Sequence, residues 1–341
     1  MISKKDTLFI KGLSILLLVF HHNWYDLSRF SSIRSGFRVV VWIFLFISAY
    51  GFASQLETTQ NRHPFKFVLK RLILLYVPLW ICNIVNLIFS LCFNAESVYA
   101  FFSGSPLNWI SDLFNVSQYF GTPGLLSGWY INMLVLIIVT FPLIYFIVTK
   151  LKWFSIALVL ALVWLFKWKI YYEYGGYLDE YLLIVVLGIL FQKYRVFKYI
   201  PRINNIFRIP FIALSILVFT AVLCLRNEYI PLVSKNIFLR FDPLSTVMAL
   251  GVVTAVYAFR HDDKVSFAFE KLGAYSADIF YIHSVFYNVV FPALGISNPI
   301  ITFILCFTFT LLISVAIESI KKETDFNRRL RTGIDKILKN G

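Results

Sequence analysis

Charge is what this 341-residue chain has little of: 15% of its residues are Asp, Glu, Lys or Arg, where a soluble domain carries about a quarter. That excludes an ordinary soluble globular fold. Cysteine is sparse as well. Cys82, Cys92, Cys224 and Cys306 are scattered through apolar stretches with no C-x-x-C spacing, so zinc, iron–sulfur and disulfide frameworks have no support and inert buried thiols are expected. No Walker loop, G-x-G-x-x-G, H-E-x-x-H or G-x-S-x-G occurs, which leaves nucleotide hydrolysis, dehydrogenase, zincin and α/β-hydrolase chemistry without a motif. An internal repeat is lacking, which counts against transporters built from duplicated halves. No small-residue cleavage site follows Lys4–Lys5 and the first apolar run, so that run reads as a retained signal anchor.

What the chain has is apolar sequence: 59% hydrophobic residues, including 36 Phe, 19 Tyr and 8 Trp. Ten uncharged or nearly uncharged runs recur, at 7–25, 37–54, 66–92, 129–148, 152–168, 181–192, 208–225, 243–259, 272–291 and 298–318. Their lengths predict an all-α polytopic membrane protein with about ten transmembrane helices. One membrane domain over 1–320 and a basic tail over 321–341 are expected. An even number of spans puts both termini on one side, and basic residues choose it. With the termini inside, 23 of the 32 Lys and Arg face the cytoplasm, eight face out and Lys11 lies within the membrane. The expected location is therefore the cell membrane, with both termini cytoplasmic. The net charge of +14 is spread over short loops as an orientation signal, which disposes of nucleic acid as a partner. The tail, basic and weakly amphipathic, is expected on the anionic lipids of the inner leaflet.

Against this background the ionisable residues inside apolar runs stand out. The first run carries Lys11 and His21–His22. At about 100° per residue, eleven steps bring His22 back to nearly the face of Lys11, about three turns on. An ionisable side chain in a span costs roughly 2.5–3.5 kcal/mol on insertion scales. Two readings stand open: His22 lines a polar cavity and does chemistry, or both histidines sit solvated at the far interface. Asp26, four residues on, would orient the imidazole if the helix continues, or is a loop carboxylate. The third run opens with Pro64, Lys66, Lys70 and Arg71, which with the helix dipole suits a phosphate-bearing ligand, or serves as an ordinary positive-inside anchor. Ser48, Ala49 and Gly51 end the second run and allow close helix approach or substrate contact. The ninth run holds Asp278 and His283, the aspartate needing a partner for which Lys11 and Arg71 are candidates. Between 94 and 127 the outer segment has no Lys or Arg and ends rich in Gly, Pro and Ser. A lid or re-entrant piece fits that composition. Its Asn115-Val-Ser triplet is a glycosylation sequon by pattern.

Five stretches, KGLSILLLVFHH, FLFISAYG, KRLILLYVPLW, SGWYINM and KLGAYSADIFYIH, occur in the order and approximate spacing seen in the integral-membrane acyltransferase-3 family. The chain resembles that family over nearly its whole length. The resemblance implies about ten membrane helices and transfer of an acyl group, commonly acetyl from acetyl-CoA, to sugar hydroxyls of surface polysaccharides. It implies His22 as catalytic, with Lys11 standing where the family usually has Arg, and Lys lacks the bidentate fork. Arg71 matches the first member of the family's R-x-x-R element, while Leu74 stands at the second. Ser48 falls in the family's S-G-F element, Trp129 and Tyr130 in its W-F/Y-I/L element, and Tyr281 and His283 in its Y/F-L-I-H element.

The expected mechanism follows. Acetyl-CoA or another acyl-CoA, a co-substrate rather than a bound cofactor, docks from the cytoplasm with its phosphates near Arg71 and Lys70. His22 acts as general base on a hydroxyl of a glycan or lipid-linked sugar, or briefly carries the acyl group. The oxyanion stabiliser is open among Lys11, Tyr130 and His283. No metal is called for. The rivals are a polytopic carrier or flippase using the same residues as a proton relay, and a non-catalytic membrane subunit whose polar residues only pin helices together.

Overall fold

The computed structural model describes residues 2–23, 39–58, 63–120, 125, 128–166, 178–201, 243–260 and 263–340. Among these residues there is no strand. The helices are α1 (Lys4–Asn23), α2 (Val39–Thr58), α3 (Pro64–Phe93), α4 (Ala95–Phe102), α5 (Pro106–Leu113), α6 (Trp129–Leu151), α7 (Phe154–Phe166), α8 (Leu178–Lys193), α9 (Pro243–Phe259), α10 (Lys264–Val285), α11 (Pro299–Glu323) and α12 (Phe326–Asn340). The chain is all-α, and nine of the ten expected spans are helices here. The run at 208–225 lies outside the described residues. Among the described residues four helices, α2, α3, α6 and α11, are long and apolar enough to cross a membrane. Backbone donors and acceptors satisfied within each helix are what permit this in hydrocarbon. Helices α3 and α6 tolerate Pro78 and Pro142 in their interiors, a frequent feature of membrane helices.

The residues pack as two compact units, Met1–Thr59 with Leu143–Ala274 and Gln60–Pro142 with Tyr275–Gly341. The first is centred on α2, whose Trp42, Ile43 and Phe46 are wholly buried with Tyr181, Ile184 and Ile189 of α8. Gly188 sets the spacing: a Cβ there would stand 2.8 Å from the Phe46 carbonyl oxygen and 2.9 Å from Ala49 Cβ. Small residues facing small residues let two membrane helices approach this closely.

Helix α1 is held at two levels. Ser3 and Asp6 form a capping box at its start, the Ser3 Oγ accepting from the Asp6 N–H at 3.1 Å and the Asp6 carboxylate accepting from the Ser3 N–H at 2.8 Å. The same carboxylate, fully buried, is 3.3 Å from Arg260, which also reaches Glu270 at 2.7 Å. Two turns further on, Gly12 meets Gly273 of α10 backbone to backbone. A Cβ on Gly12 would overlap the Phe269 carbonyl, and one on Gly273 the Leu8 carbonyl. Neither obstacle is a movable side chain, so Gly12→Ala or Gly273→Ala is expected to cost about 1–3 kcal/mol or more. Thermal unfolding in detergent checks this, and an unchanged midpoint in both variants would contradict the crossing.

The second unit is built on α3, with α11 and the later part of α10. A polar cluster lies within its largely apolar interior. Lys321, near the end of α11, donates to both oxygens of Asp278 at 3.0 Å and to Glu318 at 2.8 Å. Asp278 and Lys321 are 3% and 7% exposed. The Cys82 thiol donates to Asp278 at 3.6 Å and the Asn86 amide to the Tyr281 carbonyl at 2.8 Å. Buried Thr310 and Ser314 return their hydroxyls to the carbonyls of Cys306 and Thr310, both at 2.7 Å, so α11 carries these groups inward without orphaning them. After Val285 the chain makes a π-helical turn, Phe286–Val290.

The outer segment expected as a lid or re-entrant piece is, from 95 to 120, two short helices and a 3-10 turn folded against α3. Tyr76 donates to the Phe114 carbonyl at 2.8 Å and Trp80 to that of Leu113 at 2.9 Å. Asn115 of the sequon is fully buried at φ 51°, and its side-chain oxygen accepts the Gly128 N–H at 3.1 Å. Its side chain is thus packed between this segment and the start of α6.

At the other end of α3 lies α12. Lys66 donates to the Leu338 carbonyl at 2.6 Å and Lys70 pairs with Asp335 at 3.0 Å. Ile334 of α12 is 1% exposed. The tail expected on the leaflet is thus tied to the first two turns of α3.

Candidate functional site

In the first unit, Lys11 and His22 lie on one uninterrupted helix, both half-buried. Their separation along α1 is about 16 Å. The His21 and His22 rings meet edge to face, with centroids 5.2 Å apart. Asn23 ends the helix by returning its amide to the Val19 carbonyl at 2.8 Å, and Asp26 lies outside the described residues. On α2, Ser48 is half-buried, while its neighbour Ala49 takes the close contact with α8. The capping box and the glycine crossing fix the first turns of α1, so the direction of its imidazole end is set by the same contacts.

In the second unit, Pro64 occupies the first turn of α3 as expected, and no side chain caps that end. The exposed N–H groups and the dipole add positive character to Lys66, Lys70 and Arg71. The Arg71 guanidinium stands 5.8 Å over the Phe67 ring, and Lys70 is engaged by Asp335.

Trp129 and Tyr130 form the first turn of α6. The 95–120 segment holds them there: Tyr119 donates to the Asn132 carbonyl at 2.8 Å, and Asn132 donates back to Gly128 at 3.1 Å. The Tyr130 ring packs 5.0 Å from Phe280, and Phe280 lies 5.8 Å from His283. Tyr281 follows Phe280 on α10, and its carbonyl accepts the Asn86 amide at 2.8 Å. Tyr130 of α6 and His283 of α10, far apart in sequence, therefore pack on the same Phe280 ring, while Tyr281, two residues before His283, lies on another side of α10. The His283 Nδ1 is 2.7 Å from the Phe280 carbonyl. A carbonyl only accepts, so Nδ1 carries the proton and Nε2 is the basic nitrogen. The π-helical turn that follows is a device seen frequently at functional sites.

The partner of Asp278 is neither Lys11 nor Arg71 but Lys321. Counting Lys321 with the cytoplasmic tail hid this pair. The signal available was Glu318-x-x-Lys321 at the end of the last apolar run, a charge pair one turn apart inside a span.

No curated protein and no solved structure shows a match. The family model described as "Acyltransferase domain" matches residues 9–319, a stretch that takes in Lys11, His22, Ser48, Arg71, Tyr130, Tyr281 and His283. With that much of its length matched, the chain belongs to the acyltransferase-3 family and is a membrane acyltransferase.

Proposed function

We propose that the chain is an O-acyltransferase that moves an acyl group, acetyl in the first instance, from cytoplasmic acyl-CoA to a hydroxyl of a surface or lipid-linked glycan. The observation that carries this is the pairing of the family match with Lys11 and His22 on one face of a continuous helix. The His22 imidazole removes the proton of the acceptor hydroxyl. The oxygen attacks the thioester carbonyl, the carbon–sulfur bond breaks, and the imidazolium returns the proton to the leaving thiolate. In the covalent variant the imidazole attacks first and the acyl-imidazole is then cleaved by the acceptor. Lys11 supplies fixed positive charge on the face of α1 that bears His22. Arg71 and Lys70 receive the donor's phosphates, as guanidinium and ammonium groups do. Ser48 is assigned to contact with the donor. Trp129, Tyr130, Tyr281, His283 and Asp26 are assigned to the acceptor, since aromatic and hydrogen-bonding side chains are the kind that hold sugar rings. Membrane orientation follows the basic bias, with both termini cytoplasmic.

The test is the surface glycan. Mass spectrometry of surface and lipid-linked glycans from cells with and without the chain is expected to find ester-linked acyl groups only when it is present, labelled from isotopic acyl-CoA. Identical ester content would overturn the proposal. Sugar translocation without donor dependence would point to a carrier instead.

A further inference from the structure

One face of α3 carries polar side chains for which neither the donor nor the imidazole chemistry has a use. At about 100° per residue, Asn83, Asn86 and Ser90 fall within a sector of about 60° in the half of α3 beyond Pro78. They are 4%, 5% and 5% exposed. Different elements close the two edges of this face. On one side Tyr76 and Trp80 donate to the Phe114 and Leu113 carbonyls, and their stacked rings lie beside that of Phe114. On the other side Cys82 reaches Asp278 and Asn86 donates to the Tyr281 carbonyl. By its angle on the helix, Asn83 falls between these edges, in the seam between the 95–120 segment and α10. Neither polar atom of its amide has a hydrogen-bond partner, nor has the Oδ1 of Asn86 one turn on.

An amide left this way in an apolar interior is unfavourable, and a ligand that supplies the missing partners recovers the cost. The Asn83 amide offers two donors and an acceptor in one plane, which complements a pair of hydroxyls that each donate and accept. The sequence has no Lys or Arg from 72 to 149, and Lys321 is engaged by Asp278 and Glu318, so the seam suits a neutral ligand rather than an anion. The rings of Tyr76, Trp80 and Phe114 add the flat apolar surface that accompanies a few placed polar groups in small-molecule sites. We propose that Asn83 and Asn86 form a subsite for a neutral, hydroxyl-bearing ligand, the sugar of the acceptor, held between the 95–120 segment and α10. This rests on the glycan-acceptor reading above and extends it to the far half of a helix whose basic groups lie in its first two turns. Entry of the sugar parts the segment from α3, where single hydrogen bonds from Tyr76 and Trp80 close it.

Thermal melting of the full chain, in a detergent without a sugar headgroup, tests this together with transfer from isotopic acetyl-CoA. The probe is surface and lipid-linked glycan extracted from cells that lack the chain. It is expected to raise the wild-type midpoint, and Asn83→Leu and Asn83→Ala are expected to abolish that rise. In both variants the KM for glycan should increase about tenfold with the KM for acetyl-CoA unchanged. Without glycan, Asn83→Leu should melt at or above the wild-type midpoint, because it deletes buried polar groups that have no partner. Thr310→Val is the control: its hydroxyl is already taken by the Cys306 carbonyl of its own helix, and its KM for glycan should stay at the wild-type value. Variants of Asn83 that respond to glycan like wild type would show that the amide holds buried water only, overturning the inference while the transfer reading stands. A raised KM for acetyl-CoA alone would overturn it too, by assigning the amide to the donor. Glycan that stabilises the wild type through Asn83, with no acyl transfer, would uphold the subsite and remove the O-acyltransferase reading.

Discussion

A chain carrying His22→Ala is expected to insert, to fold and to transfer no measurable acyl group. General-base catalysis is worth about 10²–10⁴-fold in rate, and a covalent role would raise the loss further. Structure should survive because the contacts that fix α1 are elsewhere. The capping box lies at Ser3 and Asp6 and the glycine crossing at Gly12, while His22 is in the last turn and only half-buried. Single-turnover transfer from labelled acyl-CoA measures the first quantity and the thermal midpoint in detergent the second. Lys11→Arg, which keeps the charge, should retain activity, and Lys11→Met should lose it. A purely structural role for these residues predicts the opposite split: a lowered midpoint with transfer intact in whatever protein folds. Full transfer by His22→Ala would remove this residue from the chemistry.

The largest effect on stability is expected from Lys321→Met. Removing one partner of a buried ion pair leaves the other charge uncompensated, at about 3–5 kcal/mol. Asp278 is 3% exposed, and the Cys82 thiol at 3.6 Å would still donate to it. A fall in midpoint on the order of 10 °C follows for a chain of this size. The double change Asp278→Leu with Lys321→Met removes both charges, and its midpoint should return most of the way, since apolar replacements of buried pairs are often neutral or stabilising. Equal losses in the single and double variants would show that packing, rather than charge, matters at this position.

The spans were legible because hydropathy depends on local composition. The third run, read as 66–92, is a helix over Pro64–Phe93, and Pro64 marks its start. The tie between Asp278 and Lys321 was not legible, since it joins residues 43 apart and the positive-inside pattern offered Lys321 a sufficient explanation as a tail residue. Gly12 and Gly273 show the same limit. Each is an unremarked glycine in its own helix, and only the meeting of two distant segments gives them meaning. For the site, Lys11, His22 and Arg71 could be named from spacing and charge. The approach of Tyr130 to His283 needed the packing of Phe280 between α6 and α10. The tail read as a leaflet-bound helix because basic amphipathic sequence suits lipid headgroups. Nothing local in it announces that Asp335 is reserved for Lys70.

The docking of α12 on α3 also has a temporal side. Lys66 receives its carbonyl partner from a residue made 272 positions later, and Lys70 its carboxylate from one made 265 later. During synthesis the entrance of α3 stands with unclasped lysines for most of the time the ribosome is at work. The entrance of α3 therefore takes its final form only once α12, which follows every other described helix, has been made.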